Sequence, residues 1–137
     1  MIKRNLVLVL GAGASMPYGF PSGRELVARA LNKSVRSFLG EMGFHPSEVK
    51  EFQTAMKFSD PPSVDAFLAL RSELMKVGKA AIACVLVQCE SPDNLFQPAA
   101  GRWYPYLRRQ LETSLELFRY NKASVVTFNY DRSLAGC

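Results

Sequence analysis

The feature of the sequence that most limits its possible folds is an uninterrupted apolar run, Leu6–Leu10, that ends at a glycine-rich turn. The run reads Leu-Val-Leu-Val-Leu, so all five side chains are branched. A short run of this kind, closed by glycine, is typical of a strand buried on both faces. Such strands belong to parallel sheets with helices packed on either side. We therefore predict a buried strand over 5–10 in an α/β fold.

A second strand is predicted near the other end of the chain. Ser124–Phe128 is rich in β-branched and aromatic residues, which favour strands. Only these two strands are evident, whereas doubly wound domains normally have five or more. We therefore expect residues 1–137 to be the N-terminal part of a single domain whose parallel sheet is incomplete.

The sequence between the two strands has helical patterns. Ser22 is predicted to cap a helix, because Glu25 three residues later completes a capping box. Apolar residues at helical spacing predict further helices over 63–77 and Tyr104–Tyr120. The stretch 34–58 is also helical in pattern. Breaks in it are expected at Gly40, Gly43 and Pro46.

Charge and hydropathy argue against two classes of partner. Lysine and arginine outnumber aspartate and glutamate by 17 to 12, a net charge of +5 that is spread along the chain. Nucleic-acid binding usually shows a clustered basic face instead. No apolar run approaches the roughly 18–20 residues that cross a bilayer. We therefore expect no direct nucleic-acid partner and no membrane association.

The three cysteines are an odd set with no C-x-x-C pair. The sequence therefore predicts neither a disulfide framework nor a metal site. Cys84 and Cys89 lie in an apolar stretch and are predicted to be small core or near-core residues. This usage is typical of the reducing cytoplasm, which is the predicted location.

The glycine-rich turn after the first strand is the strongest sign of a binding site. Gly11 and Gly13 have no Cβ, which lets the backbone adopt positive φ and lets a ligand approach its amides. Successive N–H groups in such a turn can hold a phosphate or ribose oxygen. The turn departs from G-x-G-x-x-G, because Met16 occupies the third glycine position, and it has no P-loop G-K-[ST]. A tight strand-to-loop connection without a ligand is the alternative.

A second motif, Thr127-Phe128-Asn129-Tyr130-Asp131, follows the second strand. Ligands of open parallel sheets bind at the carboxyl ends of the strands, and both motifs lie at such ends. Asn129 and Asp131 are therefore predicted to face the same crevice as the glycine-rich turn. The alternative is that Asn129 makes a turn and Asp131 caps a following helix over 132–134.

Taken together, the motifs resemble the Sir2 family. The matching segments are Gly-Ala-Gly-Ala-Ser, Gly-Phe-Pro-Ser-Gly and Val-Val-Thr-Phe-Asn-Tyr-Asp. The chain is most similar to the SIR2-like NAD-hydrolysing domains of bacterial antiphage systems, and Ser63–Leu68 resembles a further segment of that branch. The resemblance extends from residue 6 to residue 134. It implies a Rossmann-like core that binds NAD as substrate, in a protein that is a homo-oligomer when intact.

The resemblance also implies roles for individual residues. Asn129 would orient the nicotinamide ribose or the attacking water, and Asp131 would lie near the nicotinamide carboxamide, so both would be catalytic. The reaction implied is cleavage of the N-glycosidic bond through an oxocarbenium-like transition state, which releases nicotinamide and ADP-ribose. The four-cysteine zinc module of protein-deacylating sirtuins is missing. The residues implied in NAD binding are Gly11, Ala12, Gly13, Ala14, Ser15, Pro21, Thr127, Asn129 and Asp131.

One departure from the family affects catalysis. The family has a histidine general base downstream of the Asn-x-Asp motif, whereas the one histidine here, His45, lies far upstream. His45 is expected at a helix end or in solvent. We therefore expect little or no turnover by residues 1–137. The alternatives are a module that binds NAD or ADP-ribose without cleaving it, a helical interaction protein, and an inactive truncated chain.

Three other features are interpreted as structural. Asp65 is expected near a helix N-terminus, where the helix dipole favours an acid. The aromatic residues Trp103, Tyr104 and Tyr106 are expected to pack rather than to stack on a base. Arg108 and Arg109 are expected in solvent.

Overall fold

The computed structural model describes residues 1–91, 93, 101–112 and 114–129. It confirms a mixed α/β fold with a parallel sheet. The chain divides into two compact units. One comprises Met1–Phe20 with Glu90–Cys137 and contains the sheet, and the other is Pro21–Cys89.

The sheet consists of strands β1 (Leu6–Leu10) and β2 (Ala123–Thr127), which are parallel. Leu6 is paired with Ala123 and Leu10 with Thr127. The pairing extends one residue further, because the Phe128 N–H donates to the Leu10 carbonyl at 3.0 Å. The carboxyl ends of both strands therefore meet at one edge of the sheet.

The prediction that the first strand is buried on both faces is wrong. Val7 and Val9 lie on the same face and are 62% and 65% exposed, and Val126, the partner of Val9, is also exposed. Only Leu10 of this strand is buried. Successive side chains of a strand point to opposite faces, and an apolar run does not reveal how many of those faces a further layer covers.

Seven α-helices lie within the described ranges, and none is both long and apolar enough to cross a membrane. Three short 3₁₀ helices accompany them, at Ala12–Ala14, Met16–Tyr18 and Ser72–Leu74. In chain order, the α-helices are α1 (Gly23–Ala30), α2 (Lys33–Glu41), α3 (Pro46–Ser59), α4 (Val64–Leu70), α5 (Met75–Cys89), α6 (Tyr104–Leu111) and α7 (Leu115–Phe118).

Side-chain caps determine where two of these helices start. Ser22 Oγ accepts from the Glu25 N–H at 3.3 Å, and Glu25 Oε2 accepts from the Ser22 N–H at 2.7 Å, which confirms the capping box on α1. Ser63 Oγ accepts from the Ala66 N–H at 3.2 Å and caps α4. Asp65 lies in the first turn of that helix, as predicted.

Several predicted helix boundaries are wrong. The helix predicted over 63–77 ends at Leu70, because Arg71 leaves the helical region with φ −131° and ψ 65°. The helix predicted over 104–120 is interrupted at Glu112, which is extended. Gly40 lies inside α2 rather than at a break. The apolar spacing continues across each break, so periodicity does not detect it.

The unit Pro21–Cys89 encloses a core to which all five of its α-helices contribute. Gln53 is buried in it and joins two neighbouring segments. Its Oε1 accepts from Arg36 Nε at 2.9 Å, and its Nε2 donates to the Ala30 carbonyl at 3.1 Å. Cys84 and Cys89 are buried and form no disulfide with each other, which confirms their predicted place in or near the core.

Candidate ligand-binding site at the carboxyl ends of the strands

The chain leaves β1 through a tightly hydrogen-bonded turn, Gly11–Ser15. The Ala14 N–H donates to the Gly11 carbonyl at 2.9 Å, and the Ser15 N–H donates to the Ala12 carbonyl at 3.1 Å. These i to i+3 bonds form the first 3₁₀ helix. The turn therefore has a defined shape from its own backbone.

Neither Gly11 nor Gly13 uses the positive φ that glycine permits. Gly11 has φ −110°, Gly13 has no positive φ, and in this stretch only Gly19 is left-handed, with φ 84°. A 3₁₀ turn needs negative φ, which any residue can adopt. A Cβ at Gly11 or Gly13 would meet no heavy atom of the described residues within 4 Å. Neither backbone conformation nor packing requires glycine here, and open space lies beside both positions.

Asn129 joins the end of β2 to this turn. Its Nδ2 donates to the Gly11 carbonyl at 3.0 Å and to Ser15 Oγ at 2.9 Å. Its backbone N–H donates to Thr127 Oγ1 at 3.1 Å, so Asn129 also makes a local turn. The two motifs therefore meet at one edge of the sheet. They do so because the strands before them are paired and parallel.

Most carbonyls of the turn accept hydrogen bonds, whereas two of its N–H groups are open. The carbonyls of Gly11, Ala12, Ala14 and Ser15 each accept a bond from the protein. In contrast, the N–H groups of Ala12 and Gly13 donate to no acceptor in the part of the chain that the structure describes. Successive open N–H groups can bind the oxygens of an anion or of a sugar.

An aromatic cluster packs against the same turn. Trp103 Nε1 donates to the Ala14 carbonyl at 2.9 Å, and the Tyr104 N–H donates to the Tyr18 hydroxyl at 2.7 Å. The rings of Tyr18 and Tyr104 are stacked, with centroids 4.2 Å apart. The Arg102 guanidinium lies 5.4 Å from the Tyr18 ring centroid. The packing predicted for Trp103 and Tyr104 is confirmed.

The contact of Trp103 with the turn was not predicted. Trp103 and Ala14 are 89 positions apart, and no spacing in the sequence links them. Tyr106, the third member of the predicted aromatic cluster, is exposed instead. Arg108 and Arg109 are exposed, as expected.

Pro21 is buried in the unit Pro21–Cys89, and Asp131 lies outside the described residues. His45 is at the N-terminus of α3, as expected for a helix-end histidine. Its Nδ1 accepts from the Ser47 N–H at 3.3 Å and lies 2.7 Å from Ser47 Oγ.

The two buried cysteines are poor nucleophiles. Burial raises the pKa of the Cys84 thiol. Burial also raises the pKa of Cys89, and the Arg29 guanidinium, whose Nη1 lies 3.1 Å from the sulfur, opposes this in part. Both thiols are therefore protonated at neutral pH. In the described ranges, no three His, Cys, Asp or Glu side chains form a group that could hold a metal ion.

A scan against protein-family models found no match, and searches of curated proteins and of solved structures also found none. The residues at the strand ends are therefore the basis for a functional hypothesis.

Proposed function

We propose that this chain binds NAD at the edge where β1 and β2 end, in a Rossmann-like domain of the SIR2-like type. The observation that carries the proposal is the double hydrogen bond from Asn129 Nδ2 to the Gly11 carbonyl and Ser15 Oγ. Each motif alone is compatible with a simple turn. Their meeting at the carboxyl edge of a parallel pair matches the place where open α/β sheets bind nucleotides.

The donors of the turn suit the phosphate-bearing part of the ligand. The N–H groups of Ala12 and Gly13 would donate to diphosphate oxygens, and the open space beside Gly13 would let these oxygens approach. Asn129 has both amide hydrogens engaged by the turn, so its Oδ1 is the atom that it would offer to a ribose hydroxyl or a water.

The proposed reaction of the intact protein is hydrolysis of NAD, in the setting of antiphage defence. Water adds to the ribose carbon as its bond to nitrogen breaks, and the products are nicotinamide, ADP-ribose and one proton. Positive charge develops on the ribose, where Asn129 Oδ1 and the Asp131 carboxylate would stabilise it. A general base must take the proton from water. His45 caps α3 and is assigned no part in this step.

A second candidate function is a module that binds NAD or ADP-ribose without cleaving it. His45 favours this candidate, because it is hydrogen-bonded to Ser47 at the N-terminus of α3 and the sequence has no other histidine that could act as the general base. The two candidates share the same site and differ only in whether nicotinamide is released.

Calorimetric titration of the chain with NAD and with ADP-ribose tests the proposal. We expect saturable binding that weakens at least about tenfold in Asn129→Ala, because the turn loses two hydrogen bonds. Asn32→Ala is the matched control, since the Asn32 side chain makes no capping bond. No saturable binding by folded protein would refute the proposal.

Nicotinamide release, followed by chromatography, tests whether the binding-only candidate can be excluded. We expect release at background level from residues 1–137. Release above background that disappears in Asn129→Ala would show that the chain itself hydrolyses NAD, and the binding-only candidate would then be wrong.

A further inference from the structure

Trp103 is connected to the open face of the glycine-rich turn by a continuous series of hydrogen bonds. Trp103 Nε1 donates to the Ala14 carbonyl at 2.9 Å. That carbonyl belongs to the peptide group whose N–H is that of Ser15, and this N–H donates to the Ala12 carbonyl at 3.1 Å. The Ala12 carbonyl in turn shares a peptide group with the open N–H of Gly13. Two rigid peptide planes therefore link the indole to Gly13.

This series orients the peptide planes as well as linking them. The Ala14–Ser15 plane is held at both ends, by Trp103 on its carbonyl and by Ala12 on its N–H. A rotation of that plane would break both bonds and would release the Ala12–Gly13 plane. Hydrogen bonds in such a chain also polarise one another, so each strengthens the next donor.

The indole itself is held in place by the aromatic cluster. The Trp103 ring lies 4.4 Å from the Tyr104 ring, and Tyr104 is stacked on the buried ring of Tyr18. The Tyr104 N–H donates to the Tyr18 hydroxyl at 2.7 Å. The Trp103 donor therefore approaches Ala14 from a packed ring rather than from a freely rotating side chain.

We propose that Trp103 is a positioning residue, which keeps the Gly13 N–H aimed away from the protein and polarised toward an anionic oxygen of the ligand. The inference rests on the proposed function for the identity of that ligand. It adds a residue that lies in neither of the two strand-end motifs. It also predicts an effect that needs no ligand: Trp103 should protect the Ser15 N–H from exchange with solvent.

The test removes the indole N–H of Trp103 and keeps an aromatic ring at that position. At position 103, β-(3-benzothienyl)alanine has the shape of tryptophan and no N–H, and Trp103→Phe is a second variant in case the first is poorly produced. Tyr106→Phe is the control, because Tyr106 lies on α6 and is exposed. Thermal melting checks that each protein is folded.

Two readouts are compared with wild type. Without ligand, amide exchange at Ser15 should become several-fold faster in both Trp103 variants, because the peptide plane that carries this N–H loses one of its two hydrogen bonds. With ligand, the affinity for ADP-ribose should fall about 5- to 10-fold, the effect of roughly one hydrogen bond. Tyr106→Phe should change neither quantity.

The outcomes distinguish this inference from the proposed function. If wild type binds ADP-ribose and the Trp103 variants bind it equally well, Trp103 has no positioning role and the proposed function stands. If wild type binds neither NAD nor ADP-ribose, the proposed function is wrong. In that case unchanged exchange at Ser15 would also overturn the inference, and accelerated exchange would support it.

Discussion

The side-chain amide of Asn129 donates to the hydroxyl of Ser15 at 2.9 Å, although the two residues are 114 positions apart. Ser15 is only 1% exposed, so the bond is shielded from water on that side. This contact connects the end of β2 to the turn that follows β1. It gives the edge of the sheet a shape that neither strand end would have alone.

Removing the hydroxyl should weaken this connection. We expect Ser15→Ala to lower the free energy of unfolding by about 1–2 kcal/mol, because the half-buried amide of Asn129 loses one of its acceptors. Urea unfolding measures the change. Ser59→Ala is the control, since Ser59 Oγ donates only to the Ala55 carbonyl on the exposed side of α3. Equal effects in the two variants would contradict a special role for Ser15.

A methyl group at Gly13 should weaken NAD binding without lowering the stability of the fold. Because its Cβ would meet no atom within 4 Å among the residues that the structure describes, and φ is not positive, Gly13→Ala should leave the melting temperature nearly unchanged. The same methyl would occupy the open space beside the turn, so the affinity for NAD should fall at least about tenfold. Gly40→Ala, which also has open space, should leave the affinity unchanged. Wild-type affinity in Gly13→Ala would mean that the ligand does not approach this face.

Close helix packing predicts the opposite result at Gly78. A Cβ there would lie 2.5 Å from Leu68 Cδ2 and 2.7 Å from Cδ1, and Leu68 is itself buried. Overpacking costs about 1–3 kcal/mol, and the helix propensity of alanine returns about 1 kcal/mol. We therefore expect Gly78→Ala to lower the free energy of unfolding, measured by urea titration. In the double variant with Leu68→Ala, the added cost of the Gly78 substitution should disappear; its persistence would rule out this contact as the cause.

The capping box on α1 should make the free energy of unfolding depend on pH in the acidic range. The Ser22 backbone N–H, with a further contribution from its side chain, lowers the pKa of Glu25 below 4.5 in the folded protein. The stability that the ionised Glu25 contributes is therefore fully present above pH 4.5. It is lost as the pH falls through the lowered pKa of Glu25 in the folded protein. Unfolding curves of wild type and Glu25→Gln should differ at pH 6 and converge on acidification. A difference that stays constant down to pH 3 would contradict this assignment.

The two faces of β1 should respond differently to truncation. Val9 is 65% exposed, so Val9→Ala should cost less than about 1 kcal/mol. Leu10 is buried, and Leu10→Ala should cost about 2–4 kcal/mol through lost burial and a cavity. Urea unfolding of the two variants provides the comparison. A similar cost at both positions would show that the Val9 face is covered in solution.

The sequence by itself determined the features whose partners lie close together in the chain. Ser22 and Glu25 are three residues apart, and their capping box formed as predicted. The apolar run over 6–10 and the β-branched run near residue 125 both became strands. The meeting of Asn129 with the glycine-rich turn also followed from the sequence, because parallel pairing brings both carboxyl ends to the same edge.

Only the tertiary structure decided which surfaces are covered and which distant side chains meet. The exposure of Val7 and Val9 depends on whether another layer packs on that face, which an apolar run does not encode. The hydrogen bond from Trp103 to Ala14 spans 89 positions, and no periodic pattern in the sequence indicates it. Local patterns record the backbone preferences of neighbouring residues, whereas these contacts arise from the packing of segments that are remote in the chain.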